Sequence, residues 1–229
     1  HARALAKRIR VRLRRSKRPV EYAVFIEDDG IGQAPGRVHD TLLSLGSSEK
    51  PDKKYLIGEY GQGGSSAYAA CQLSWMTSRR APDLLEGATD GIGWTAIQKV
   101  YRADRRGVYW AYLSAHPDGR VPTLPVRVAA ELGLGDHGTR IVHLAYDFGK
   151  AEPSRTLYQA LNHLIFSPVL PYELYTKEQL DTGTEDKKRN RGPDPMFGNA
   201  YRLANAGNKT VIDKVFDAVP VYKREEVQS

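Results

Sequence analysis

Phe25-Ile-Glu-Asp-Asp-Gly-Ile-Gly32 and, some twenty-five residues on, Ile57-Gly-Glu-Tyr-Gly-Gln-Gly-Gly-Ser-Ser-Ala67 are the two stretches on which the reading of this chain turns. The first sets a carboxylate and two flexible residues directly after a strand. Asp28 can accept from an exocyclic amine, a charge-assisted bond contributing roughly 1.5–3 kcal/mol. Gly30 and Gly32 let the backbone turn past a base with no Cβ in the way. Such a carboxylate favours adenine over guanine, which has a carbonyl at the corresponding position; taken alone, the same residues also spell an ordinary Asp-Gly turn. In the second stretch, Gly58-x-x-Gly61-x-Gly63-Gly64 frees a run of backbone N–H groups before a helix expected from Ser65 to Cys71. The positive end of that helix suits a di- or triphosphate. The run is not a P-loop, because no G-K-[ST] follows, and it lacks the dinucleotide fingerprint. Asp90-Gly-Ile-Gly93 lacks the D-x-G-x-G spacing and reads as a plain turn.

Working outward, Val20 to Glu27 reads as a strand, and Lys7-Arg-Ile-Arg-Val-Arg-Leu-Arg-Arg-Ser-Lys-Arg18 as another. In the latter Ile9, Val11 and Leu13 alternate with Arg8, Arg10, Arg12 and Arg14, so one face is apolar and the other basic. That basic face is either solvated or set against nucleic-acid phosphates, which arginines hold without reading sequence. No aromatic residue is interleaved there, so single-strand stacking is not indicated.

Residues 36 to 46 place Val38, Leu42, Leu43 and Leu45 at roughly helical spacing up to Gly46. Ser47 to Tyr55 is expected to be a mobile loop. Leu73–Thr77, Gly93–Tyr101, Gly107–Ala115 and Thr139–Tyr146 read as successive strands. Leu157 to Phe166 reads as an apolar helix, Ser167 to Leu174 is interrupted by proline, and 182–195 is a charged loop. Thr210–Val215 and Ala218–Tyr222 are short strand-like runs. The order predicts an α+β fold, a two-layer α/β sandwich with helices on one face of a mixed sheet. A first domain over 1–150 is followed by part of a second domain over 151–229.

The composition sets the outer limits. The chain has 229 residues, 41% of them hydrophobic, with a net charge of +7 that suggests an anionic partner. Its apolar runs are far short of the ~20 residues of a membrane helix, and with no charged-then-apolar leader the expected location is the cytoplasm. Cys71 is the only cysteine, and no Cys/His group has zinc spacing.

Together with Gly138-Thr139, the two glycine stretches resemble the GHKL ATPases, the Bergerat-fold family of gyrase B subunits, MutL, the ninety-kilodalton heat-shock chaperones, MORC proteins and sensor histidine kinases. The wording is most similar to the chaperone and MORC branches, and Leu42-Leu-Ser-Leu-Gly-Ser-Ser-Glu-Lys50 resembles their ATP lid. The resemblance covers about residues 1–150. It implies that Asp28 binds the adenine amine, directly and through a water shared with Thr139, and that Gly30 and Gly32 shape the base pocket. Gly58, Gly61, Gln62, Gly63 and Gly64 would cradle the phosphates of ATP and hinge the lid, with Lys50 either a phosphate contact or a solvated loop lysine.

The family's E-x-x-x-N motif, which supplies the general base and the Mg²⁺-binding Asn, is expected upstream of His1. This chain alone is therefore expected to bind ATP without hydrolysing it, and the full-length protein to be an ATPase. A second-domain lysine completes the site in relatives; Lys150, Lys209 and Lys214 are the choices here. Lid closure would drive homodimerisation or clamping, in a DNA-linked bacterial maintenance or defence role. The alternatives are a chaperone-like ATPase acting on protein clients and a non-hydrolysing nucleotide-sensing scaffold. A histidine kinase is disfavoured, because His39-Asp40 has Ser44 where the H-[ED]-x-x-x-P pattern requires proline. His137 and His143, flanking Gly138-Thr139, read as structural.

Overall fold

The computed structural model describes residues 7–15, 22–43, 67–101, 108–115, 117–149, 153–166, 168, 170–179, 193–198 and 200. They build one nine-stranded mixed sheet. Its strands are β1 (Ile9–Arg15), β2 (Tyr22–Asp28), β3 (Leu73–Arg79), β4 (Ile92–Tyr101), β5 (Val108–Tyr112), β6 (Thr123–Leu124), β7 (Gly138–Leu144), β8 (Tyr172–Gln179) and β9 (Asp194–Met196). The spatial order is β5-β4-β3-β7-β2-β1-β8-β9, with β6 paired to β4. Every pairing is antiparallel except β1 with β8.

Register explains why these residues form these strands. Partners across a ladder share a face, so the alternation in β1 propagates through the sheet. Val11 faces Ile26, Ile26 faces Ile141 and Ile141 faces Met76, which makes one continuous apolar face. Two clusters cover it. Leu13, Tyr22 and Val24 pack with Tyr146, Phe148 and Leu157, the last from helix α2 (Pro153–Leu164), while Val38, Tyr68, Met76, Ile97 and Val121 pack with Leu42 and Leu43. Each fully buried aliphatic side chain there contributes about 1.5–3 kcal/mol. The opposite face carries Ala23, Phe25, Val142, Trp75 and Leu144 together with Arg10, Arg12 and Arg14 of β1.

The expected two-layer α/β sandwich is overturned by this sheet. Among the described residues only α2 exceeds a single turn, and no layer of helices covers one face. The run from residue 36 forms a 3₁₀ turn, Pro35–Arg37, and then α1, Val38–Thr41. The Thr41 hydroxyl donates back to the Arg37 carbonyl at 2.7 Å, and the Leu42 and Leu43 N–H groups both donate to Val38 O. Of Ser65–Cys71, expected as a helix, the described residues 67–71 form the 3₁₀ turn Ala67–Ala70, closed by Cys71 N–H on Tyr68 O.

The sheet also runs past residue 150. β8 and β9 join it at the β1 edge, and Asp194 and Pro195, expected in a charged loop, belong to β9. The expected lid beyond Leu43, the Ser47–Tyr55 loop and the strand-like runs at 210–215 and 218–222 lie outside the described residues. No helix among the described residues is long and apolar enough to cross a membrane.

Candidate functional site

Asp28 is the last residue of β2 and the register partner of Thr139 on β7, whose own partner on β3 is Ser78. Three strand ends thus bring a carboxylate and two hydroxyls to one place. The Asp28 carboxylate accepts the Gly30 N–H at 2.8 Å and the Thr139 N–H. A carboxylate offers about four acceptor positions, so capacity remains for a further donor. Burial pushes the Asp28 carboxyl above its ordinary value and Asp29 adds to the rise; the Gly30 and Thr139 N–H groups and His137 oppose it. A half-buried carboxylate with unused lone pairs fits an amine donor that replaces water.

The glycines are there for close approach. Gly32 has φ +57°, and a Cβ would strike the Arg79 carbonyl; Gly138 has φ +124°, and its Cβ would strike the Asp28 carbonyl. The loop from Asp29 to Gln33 is pinned along its length. Asp29 N–H donates to Arg8 O at 3.1 Å and Ala81 N–H to Ile31 O at 2.8 Å. Gln33 N–H donates to Ser78 Oγ at 2.9 Å, and Arg80 Nη1 to Gly32 O at 3.2 Å.

Ser78 was not anticipated as a contributor, and His137 was read only as structural. Ser78 Oγ lies 3.0 Å from Thr139 Oγ1 and 3.2 Å from Gly138 O, tying β3, β7 and the loop together. His137 Nδ1 lies 2.7 Å from Gly30 O, and because a carbonyl only accepts, that nitrogen carries the proton. A serine at the polar end of an otherwise alternating strand and a histidine beside Gly138-Thr139 were the available signals. Asp90, in the turn set aside as plain, makes a bidentate pair with Arg79 at 3.0 and 2.8 Å. Arg79 also donates to Asp136 O, which anchors the entry to β7. The pairing holds the Asp90 carboxyl below its ordinary value.

Of the expected site residues, the structure brings together Asp28, Gly30, Gly32 and Thr139. Lys50, Gly58, Gly61, Gln62, Gly63 and Gly64 lie outside the described residues, as do Lys150, Lys209 and Lys214. A cleft of about 500 Å³ opens beyond the loop, between the Ala34–Arg37 turn, Ala88 and Thr89, and Arg120–Thr123. It begins two residues past Gly32, and Asp28 is not in its lining. Among the described residues no group of three His, Cys, Asp or Glu side chains could hold a metal ion. No family model matches this chain, and no curated protein sequence does.

Proposed function

We propose that this chain binds ATP as the nucleotide-binding part of a GHKL-type ATPase in the cytoplasm. Nucleotide-dependent closure would promote dimerisation or clamping in a DNA-linked role. The observation that carries the reading is the juxtaposition of Asp28 with Thr139, beside the pinned loop of Gly30 and Gly32. It supports an adenine site because the carboxylate is half-buried, fixed by two N–H donors, and still able to accept an amine. The reading rests on this site and on the second glycine stretch, not on a layer architecture. ATP would supply the anionic phosphates for Gly58–Gly64; Mg²⁺ and hydrolysis belong to a chain that includes E-x-x-x-N.

Calorimetric titration of a non-hydrolysable ATP analogue with Mg²⁺ tests this, with the guanine analogue alongside. Binding of the adenine compound alone, weakened in Asp28→Asn, is the expected result. Equal binding of both purines, or none of either, would overturn the proposal.

A further inference from the structure

Ser78 is fully buried on β3, and its hydroxyl meets three polar neighbours beside the candidate adenine site. The Gln33 nitrogen lies 2.9 Å away, the Gly138 carbonyl oxygen 3.2 Å and Thr139 Oγ1 3.0 Å. A serine hydroxyl has one hydrogen and two lone pairs. An amide N–H only donates, so Gln33 takes one lone pair. A carbonyl only accepts, so the Ser78 hydrogen goes to Gly138 O. The Thr139 contact is then a hydrogen bond only if Thr139 donates into the second lone pair. This is the one assignment that satisfies all three contacts. Its opposite, with Ser78 donating to Thr139, forfeits the Gly138 bond in a place closed to solvent.

The consequence falls on the ligand side. Thr139 has spent its hydrogen on Ser78, so toward a ligand its oxygen offers lone pairs alone. Asp28, its register partner on β2, is likewise only an acceptor once ionised, and the N–H bonds from Gly30 and Thr139 leave acceptor positions over. Two acceptors on neighbouring strands match a group that carries two hydrogens on one atom. An exocyclic amine is such a group, whereas a carbonyl in the same place faces lone pairs from both. A water held between Asp28 and Thr139 would donate one hydrogen to each and pass the same demand on to the ligand.

We propose that Ser78 is a positioning residue of the nucleotide site: it draws the Thr139 hydroxyl hydrogen to itself and thereby makes Thr139 a second acceptor for the adenine amine. Selection of amine over carbonyl is then shared between Asp28 and Thr139. Ser78, being fully buried, acts through Thr139 and sets the sign of its share. The proposal rests on the adenine reading above and deepens it, by naming the residue that fixes which purine edge is accepted. Without Ser78 the Thr139 hydroxyl is free to turn and donate, and a carbonyl becomes acceptable there.

The test is competition on the 229-residue chain between a non-hydrolysable adenine nucleotide and its hypoxanthine counterpart, which has a carbonyl in place of the amine. It is run at about pH 8, far enough above the ordinary Asp value for a carboxyl raised by burial to be ionised. The N1–H that hypoxanthine also carries is the same in every comparison. Wild type should prefer adenine by about 100-fold or more. Ser78→Ala should narrow that preference by about tenfold through tighter binding of the hypoxanthine nucleotide, the worth of one hydrogen bond gained at its carbonyl. Ser78→Cys, close to serine in volume but a weaker hydrogen-bonding group, should narrow it less, and it decides the matter should Ser78→Ala not fold. The gain should vanish when Thr139→Val is added, because valine has no hydroxyl to turn. A merely structural role would weaken both nucleotides alike. An unchanged preference in the folded Ser78 variants, or a hypoxanthine gain that survives Thr139→Val, would overturn the proposal while leaving the adenine site standing. No binding of the adenine nucleotide by the wild type would overturn both.

Discussion

Asp28, the proposed adenine contact, works against the stability of its own fold. Its carboxyl is raised by burial, so the folded chain holds that proton more tightly than the unfolded chain does. Folding stability contributed by this residue therefore declines as pH rises from the ordinary Asp value through the raised one. Asn keeps the acceptor for Gly30 without the buried charge. Asp28→Asn should thus melt no lower than wild type at pH 7, while ATP-analogue affinity drops about 10- to 100-fold, the loss of one charge-assisted hydrogen bond. Calorimetry and thermal melting read the two effects separately; a variant that loses both would make Asp28 a structural residue. Gly32 makes the complementary case. Gly32→Ala forces a side chain into the left-handed region and against the Arg79 carbonyl, and should cost more than ~1 kcal/mol in urea unfolding. A Cβ at Gly36 meets nothing within 4 Å, so Gly36→Ala should be near neutral.

At the scale of elements, β3 and β7 are joined beneath the apolar face by a polar contact that hydropathy does not reveal. His143 Nδ1 and Ser74 Oγ are 2.8 Å apart and both are buried, with Cys71 Sγ 3.0 Å from the serine. Burial lowers the His143 pKa, so the unfolded chain takes up a proton near the ordinary histidine value while the folded chain resists it. Stability should therefore fall as pH drops from about 6.5, by at most about 1.4 kcal/mol per pH unit for this one group. His143→Gln should flatten that slope, and Ser74→Ala should cost about 1–3 kcal/mol by stranding the imidazole nitrogen; denaturant titrations at pH 7 and pH 5 measure both. Strands were the legible part of this sequence. The alternation in β1 and the apolar run in β2 need only local chemistry, and both lie within a few residues of where they were expected. Asp28, Gly30, Gly32 and Thr139 were legible as a group through their motif. Ser78 was not, and for His137 only a structural role was legible and not its partner Gly30, because both contacts depend on which strand ends meet. The stretch from residue 36 misled because its helical spacing did not register Pro35 at the start or the Thr41 hydroxyl competing at the end.

For the whole molecule, the decisive element is the one that local pattern obscured most. β8 reads Tyr-Glu-Leu-Tyr-Thr-Lys-Glu-Gln, with charges at Glu173, Lys177 and Glu178 and no clean alternation, close behind Pro168 and Pro171, and nothing local says that it lies parallel to β1. Yet it turns β1 from an edge into an interior strand and buries Leu174 almost completely. α2, from the same region, brings Leu157 onto Leu13, Tyr22 and Val24. A chain ending at Lys150 would lose both, leaving the outer backbone groups of β1 unpaired and the apolar surface around Leu13 open to water. If the sheet is one cooperative unit, that truncated chain should unfold at much lower urea than the full chain. Leu174→Ala in the full chain should cost about 2–5 kcal/mol, the usual range for emptying a tightly packed leucine site. If residues 151–229 are instead a separate domain, the truncation should keep the original midpoint and slope, and Leu174→Ala should leave the main transition where it was. Urea titrations of the three proteins, followed by tryptophan fluorescence, separate the two cases because Trp75, Trp94 and Trp110 all lie before residue 150 and remain in every chain.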